Sequence, residues 1–425
     1  MSISASLPQM AVQGNKEVEK VPVAQYRERL QELLSPRLNL RTQQIECDGH
    51  PLYEEDFDNL NVSLEEKYAL KFKKSDLQST VRAIARKNSF DPVADYLNTL
   101  PTERQDVLSD DEWNRIAAIC FGLNDGHARV VLQKWLISAV ARVMEPGCKV
   151  DHCLILFGLQ GLQKSTFFDV LAGEFFSDSL GGLDQMKDDI LILQASWINE
   201  WSEADQVFAG AQKSEKIKAF ITRREDAMRV PYGRNTAKYP RRSILVGTTN
   251  RKDWATDPTG NRRFPILAPA EVNIQWVKEN RNRIWGRALA ELRAGHGWWF
   301  SKEEEQEISL VAQSYAPEDP HADDMFQVLC VHANRWFSTR EIAAIALQKD
   351  PKDMDKRYLR AVARSLTSLC TQGVITERRS HTPVNPSHGG RSTTNCWSYC
   401  TQNTQNTQGI PKSQKNEEAE DFLGL

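Results

Sequence analysis

The chain has 425 residues, 26% of them charged and 40% hydrophobic, enough length for two or three domains and a sizeable core. No apolar run approaches the ~20 residues of a membrane helix, and the first twenty residues lack the basic-then-apolar layout of a secretory leader, so the expected location is cytoplasmic. A net charge of −3 excludes a bulk polycation, but from Ile217 to Arg263 there are twelve Lys/Arg against four Asp/Glu. The eight cysteines show no C-x-x-C spacing; Cys396 and Cys400, four apart, read as incidental rather than as a metal pair.

Residues 1–25 read as a disordered arm, and 26–145 as a mostly helical N-terminal domain. Within it, "RLNLRTQQIECDGHPL" alternates like a short strand pair turning at Asp48-Gly49. "NVSLEEKYALKFKKSDLQSTVRAIARKNSF" reads as two helices. The second is expected to be capped at Ser75-Asp76 and to carry an apolar face of Leu77, Val81, Ile84 and Ala85. Pro92 opens a further helix, and a polar segment with Pro101 and the run Asp110 to Glu112 follows. The span from about Ala128 to Met144 is the clearest amphipathic helix, roughly 25 Å long at 1.5 Å per residue, and Pro146-Gly147 stops it.

Residues 146–300 alternate apolar runs with helical spacing, the signature of an α/β sheet. "KVDHCLILFG" suits a parallel strand covered on both faces, "KSTFFDVLAG" a helix, "DILILQASWINEW" a helix running into a strand, and "RRSILVGTTN" another buried strand. Between the first strand and helix lies "LFGLQGLQKSTFF", one residue away from the phosphate-loop pattern G-x-x-x-x-G-K-[ST]. A strand, a turn rich in free N–H groups and a helix N-terminus occur in the order that a triphosphate requires. Gly158 would make the first tight turn and Gly161 would let the backbone approach the ligand. Lys164 would reach the β- and γ-phosphates and Ser165 would hold Mg²⁺, with Thr166 completing the junction. Gln163 stands where the second glycine belongs; a left-handed conformation there would cost about 1–2 kcal/mol. The same letters also arise in a strand–turn–helix that binds nothing. Further along come Glu200, placed to order Mg²⁺ and water (with Glu203 three residues on), then Thr249 and Asn250 at a strand tip, and Arg262 and Arg263 on a Gly-containing loop. Each also has a bland reading: a solvated carboxylate, a turn residue, a surface arginine pair. Their order along the chain favours nucleotide chemistry.

Taken together, "DPVADYL", "EPGCKVDHCLILFGLQGLQKSTFFDVLAG", "WINEWSEAD", "IKAFITRREDAMRVPYGR", "RRSILVGTTN", "DPTGNRRFPI" and "AELRAGHGWWF" resemble the virulence-associated protein E (VapE/VirE) family of phage and plasmid ATPases. These are relatives of superfamily 3 helicases and of poxvirus-type primase–helicases. The resemblance spans roughly Asp91 to Phe300. It implies an α/β P-loop NTPase core (AAA+/superfamily 3 helicase-like) using ATP and Mg²⁺. Lys164 and Ser165 would be its Walker A residues, Glu200 its Walker B acid, Asn250 its sensor, and Arg262 or Arg263 a finger acting in trans. Family loops usually carry glycine where Gln163 stands. The segment between acid and sensor would form a hairpin gripping single-stranded DNA. Independently, Arg223, Arg224, Arg229, Arg234 and Lys238 around Tyr232 combine phosphate-contacting charge with a stacking ring; some of these arginines would instead line a subunit interface.

Residues 301–325 read as a linker or helix, 326–401 as a winged-helix-like module and 402–425 as a disordered acidic tail. In the module Ser338 would cap a helix, Arg357 to Cys370 would form the recognition helix, and Lys356, Arg357, Arg360, Arg364, Arg378, Arg379 and Arg391 would meet DNA phosphates, although winged helices also bind proteins. The expectation is an ATP-dependent DNA helicase or translocase of phage, prophage or plasmid replication. It would be a homo-oligomer, with a hexameric ring as one arrangement, acting on single-stranded DNA, with duplex DNA as a further option, away from membranes. No priming motif is visible, so a primase would be a separate partner. The alternative is a nucleotide-gated DNA-binding initiator or interference protein without processive unwinding.

Overall fold

The structure, a computed structural model, describes residues 23–68, 73–181, 186–208, 211–228, 236–252, 261–315, 321–333, 335–371, 375–383 and 391–399. The chain divides between residues 316 and 317 into two compact units.

The first unit begins with the helix Val23–Leu33 and three short antiparallel strands, β1 (Arg37–Leu38), β2 (Ile45–Cys47) and β3 (His50–Pro51), paired in that order. Asp48 and Gly49, both at positive φ (51° and 81°), close the β2–β3 turn in the left-handed geometry that such tight hairpins require. The helices Glu54–Tyr68 and Lys74–Lys87 pack Leu60, Leu64, Leu77, Val81 and Ile84 against Leu30. The second starts at least two residues earlier than the capping pattern suggested: Lys73 is its N-cap, with no side-chain bond. Ser75 and Asp76 lie inside the first turn, where the carboxylate faces the positive end of the helix dipole. Pro92–Thr99 follows, capped by Asp91, whose Oδ1 accepts from the amides of Val93 and Ala94 at 3.0 and 3.4 Å. The polar run at Asp110 forms a short helix, Asp110–Asn114, started by a capping box in which Ser109 and Glu112 satisfy each other's amides.

The helix Gly126–Met144 differs from the amphipathic surface helix expected. From Trp135 to Val143 every residue is buried, polar Ser138 and Arg142 included. A helix apolar on nearly all sides belongs in a core, and this one runs beneath a five-stranded sheet. The strands are β4 (Leu154–Phe157), β5 (Phe176–Ser177), β6 (Ile198–Trp201), β9 (Ile244–Thr249) and β10 (Ile266–Leu267). The antiparallel hairpin β7 (Glu225–Met228) and β8 (Ala237–Pro240) stands apart as its own two-stranded sheet. The spatial order is β10-β4-β9-β6-β5, with every neighbouring pair parallel. Such a sheet must be covered on both faces. Leu154, Leu156, Ile198 and Val246 meet the helices Gly126–Met144, Lys164–Ala172 and Ile274–Arg293, while Ile155, Leu245 and Ile266 meet Met186–Ala195 and Ala211–Ile221.

The second unit holds the helices Ala322–Val331, Thr339–Ala346 and Lys356–Thr371 with the antiparallel strands β11 (Phe337–Ser338), β12 (Thr376–Pro383) and β13 (Arg391–Ser398), ordered β11-β13-β12. Met325, Leu329, Phe337, Ile342, Leu366 and Trp397 form its own core. Ser338 starts the middle helix through a capping box with Glu341.

Trp285, fully buried, stacks on Trp197 with ring centroids 4.4 Å apart, and its Nε1 donates to the Leu171 carbonyl at 2.9 Å. Arg281 Nε donates to the same carbonyl at 2.9 Å. These bonds fix the C-terminal end of the helix Lys164–Ala172. Trp285→Ala should therefore lower unfolding free energy by about 3–5 kcal/mol in denaturant titrations; a loss under about 1 kcal/mol would contradict this packing.

Candidate nucleotide site

The turn from β4 into the helix Lys164–Ala172 is shaped by three residues. Gly161 has φ +88°, in the region that favours glycine. Gln163 sits in the left-handed conformation at φ 58°, ψ 30° and serves as the helix N-cap without a side-chain bond. Gly158 differs from the expected tight turn. Its φ needs no glycine; rather, a Cβ there would lie 2.7 Å from Leu162 Cδ1 as the loop folds over it. The loop closes on itself, and the amides at the start of the helix are left for a ligand.

Lys164, buried at the loop's mouth, donates from Nζ to the carbonyls of Gly158 and Leu159 (2.9 Å each) and to Asn250 Oδ1 at 2.8 Å. Ser165 Oγ donates to Glu200 Oε1 at 2.7 Å, and Thr248 Oγ1 donates to the same oxygen. Glu200 is fully buried, and its second oxygen, Oε2, has no hydrogen-bond partner. Burial raises the Glu200 carboxyl above the usual carboxylate range, opposed by the two hydroxyl bonds. Burial likewise lowers the Lys164 ammonium, opposed by Glu200. Around these groups opens a cavity of about 700 Å³, lined by Gly161, Gln163, Lys164, Ser165, Thr166 and Asn250 together with Ser202, Glu203, Asp205, Thr248, Thr249 and Arg251. That volume is in the range of pockets that hold small ligands.

Lys164, Ser165, Thr166, Glu200 and Asn250, drawn from three strands' ends, thus converge. Ser165 with the unpartnered Glu200 Oε2 is a donor set suited to a hard divalent cation, which prefers oxygen ligands. Three participants escaped the sequence reading. Thr248 orders Glu200; strand parity was the available signal, since Thr248 lies two residues from Val246, the β9 partner of Glu200. Asp205 accepts from Thr249 Oγ1 at 2.8 Å, and Arg251 Nη1 lies 3.7 Å from it; nothing in the spacing announced either.

Other expected site residues lie elsewhere. Arg262 pairs with Glu305 at 2.7 Å, and with Arg263 it lines a different cavity. Arg223 lies 4.0 Å from Asp226, Arg224 Nε donates to the Gly147 carbonyl at 2.8 Å, and Lys238 pairs with Glu225 across the β7–β8 hairpin. Arg229, Tyr232 and Arg234 lie outside the described residues, as do Cys400 and the side chains of Arg357, Arg378, Arg379 and Arg391. Among the described residues no helix is long and apolar enough to cross a membrane.

A raised carboxyl pKa means that the folded chain holds the Glu200 proton more tightly than the unfolded chain does. Stability is then unaffected below the unfolded value near pH 4 and falls as pH rises through the folded value. Glu200→Gln, which keeps an acceptor for Ser165 and Thr248, should be nearly neutral around pH 4 and should raise Tm at neutral pH. A Tm gap that does not depend on pH would contradict this electrostatic cost.

Comparison with known proteins adds a family. The sequence matches the virulence-associated protein E-like domain over residues 104–317, about half of the chain, a span that contains all five strands of the parallel sheet and the whole cavity. Among solved structures, the apo C-terminal region of NrS-1 (its residues 305–718) matches with 11% identity and a TM-score of 0.49, covering 90% of this chain and 100% of that one. Its A form gives 11% identity and a TM-score of 0.48 over the same shares. Curated protein sequences give no match. The chain is a member of the virulence-associated protein E-like domain family.

Proposed function

We propose that the chain is a P-loop ATPase of the AAA+/superfamily 3 type that moves or separates DNA strands during replication of a phage, prophage or plasmid. The observation that carries this reading is the meeting of Lys164, Ser165 and Asn250 at one cavity beyond the carboxyl ends of parallel strands, with buried Glu200 bonded to Ser165 behind its wall, where open α/β sheets bind ligands. In this reading the loop amides and helix N-terminus cup the phosphates. Lys164 exchanges its loop carbonyls for the β- and γ-oxygens, and Asn250 senses the terminal phosphate. Mg²⁺, when bound, would be held through Ser165 and Glu200 and would screen the phosphate charge. Glu200, with Thr248 holding one oxygen, has the other available to orient an attacking water. Arg262 and Arg263, away from this chain's own cavity, would serve a neighbouring copy's nucleotide in an oligomeric ring.

The hairpin β7–β8 supplies the DNA element: Arg223, Arg224 and Lys238 flank the segment that carries Arg229, Tyr232 and Arg234. Its root is anchored by the buried pair Arg241–Asp226, bidentate at 2.7 and 2.9 Å. The three helices and three strands of the second unit fit a winged helix, with Lys356–Thr371 as the recognition helix and β12–β13 as the wing. DNA-stimulated ATP hydrolysis tests the proposal. Lys164→Ala should reduce kcat by roughly 10²–10³-fold, the usual cost of losing a group that meets developing charge; turnover equal to wild type would sink it.

One observation favours a second reading, a nucleotide-gated initiator or interference protein. Gln163 holds a left-handed conformation that costs a non-glycine residue about 1–2 kcal/mol, and strain of this kind at a ligand loop is a means of restraining turnover. Gln163→Gly should then accelerate hydrolysis several-fold while leaving DNA affinity unchanged. An unaltered rate removes the support for this second reading.

A further inference from the structure

A second cavity, of about 430 Å³, is lined by Trp298, Trp299, Phe300, His152, Arg262 and Arg263, none of which borders the cavity at Lys164. Its chemistry is unlike that of an ordinary surface hollow. Trp299 is 62% exposed although it is the largest apolar side chain available to the fold, and its ring meets Trp298 edge-on, centroids 5.5 Å apart. Trp298 is itself pinned, its Nε1 donating to the Lys149 carbonyl at 2.8 Å. Phe300 packs on His152 at 5.0 Å. Two buried polar atoms in this wall have no hydrogen-bond partner: His152 Nε2 and Arg263 Nε. Burial lowers the His152 pKa to about 4, so a neutral imidazole faces the cavity at ordinary pH. Buried polar atoms without partners are uncommon in folded proteins and call for one.

The ligand must satisfy both halves of this wall. An exposed indole, held in place by its neighbour, offers a stacking surface for a flat ring. Arg262, Arg263 and Lys149 offer positive charge at the same cavity. Arg262 and Lys149 are each paired, with Glu305 at 2.7 Å and Asp151 at 3.2 Å, carboxylates that also line the cavity; Arg262 is about half exposed and Lys149 more so. Exposed pairs of that kind are weak, so a phosphate can replace either carboxylate at little cost. Arg263, whose buried Nε has no partner, adds a further cation to the wall. A planar ring joined to an anion, within 430 Å³, is a nucleotide.

We propose that this cavity is a second nucleotide-binding subsite. A base stacks on Trp299, and the attached phosphate pairs with Arg263 and Arg262. The ligand is either a free mononucleotide or one residue of a single strand.

The test uses the full chain in a Lys164→Ala background, so that the cavity at the phosphate loop contributes little. Binding of a fluorescent adenine mononucleotide and, separately, of a short single-stranded oligonucleotide is measured before and after adding Trp299→Ala or Trp299→Phe. Trp299 is exposed, so folding is expected to survive, and unchanged circular dichroism establishes that. Trp299→Ala should weaken one ligand or both on the order of tenfold, as expected for a lost base stack, and Trp299→Phe should restore most of it. Loss for the mononucleotide identifies a free nucleotide; loss for the oligonucleotide alone identifies the strand. If neither ligand responds to Trp299→Ala, or if Trp299→Phe is as defective as Trp299→Ala, the subsite does not exist.

Discussion

The arrangement depends on one buried carboxylate. Glu200 lies within a parallel strand with no exposure, one oxygen held by Ser165 and Thr248 and the other by nothing. A half-satisfied acid in a sheet interior is costly, and the sheet accepts it because of strand order. With β9 between β4 and β6, the β4 loop, the β6 acid and the β9 tip come to the same edge. Any other neighbour for β9 would separate Lys164 from Asn250 or Glu200 from Thr248. The site's electrostatics follow from this placement, since burial disfavours charge on both Glu200 and Lys164 until a ligand of opposite character arrives.

Rigid supports hold that edge from both directions. The helix that begins at Lys164 is tied at its start to Asn250 and to the loop carbonyls. At its far end Trp285 and Arg281 share the Leu171 carbonyl. The N-terminal elements contribute as well. Arg41, almost fully buried, donates to Asp91 at 2.6 Å and to the Ser196 carbonyl at 2.8 Å, two residues before β6 begins. Asp91 in turn accepts from Arg242, two residues before β9. A single arginine on the β1–β2 connection thus bridges the entries of the two strands that carry Glu200 and Asn250, and sites supported in this way keep the geometry that chemistry needs.

Much of this was legible in the residues. Short apolar runs at Leu154, Ile198 and Ile244 mark buried strands because a parallel sheet has no wet face, and Asp48-Gly49 marks its turn because both positions need positive φ. Other features were not legible. Gly126–Met144 carries enough polar letters to look amphipathic, yet inside the fold Ser138 donates to the Trp135 carbonyl and Arg142 Nη2 to those of Val150 and Arg223, while Arg142 Nε and Nη1 stay unpartnered. Ser109 and Ser75 present the same capping letter, each followed three residues on by Glu112 or Gln78, yet only Ser109 caps a helix. Gly158 reads as a turn glycine but serves close packing. Asp205 and Arg251 enter the site through loop geometry, which has no period to detect.

The most direct measurement is calorimetric titration of ATP into the full chain with and without Mg²⁺. One magnesium-dependent nucleotide per chain, lost in Lys164→Ala, is the predicted result. No magnesium-dependent binding, or magnesium-dependent binding that survives Lys164→Ala, would contradict the account.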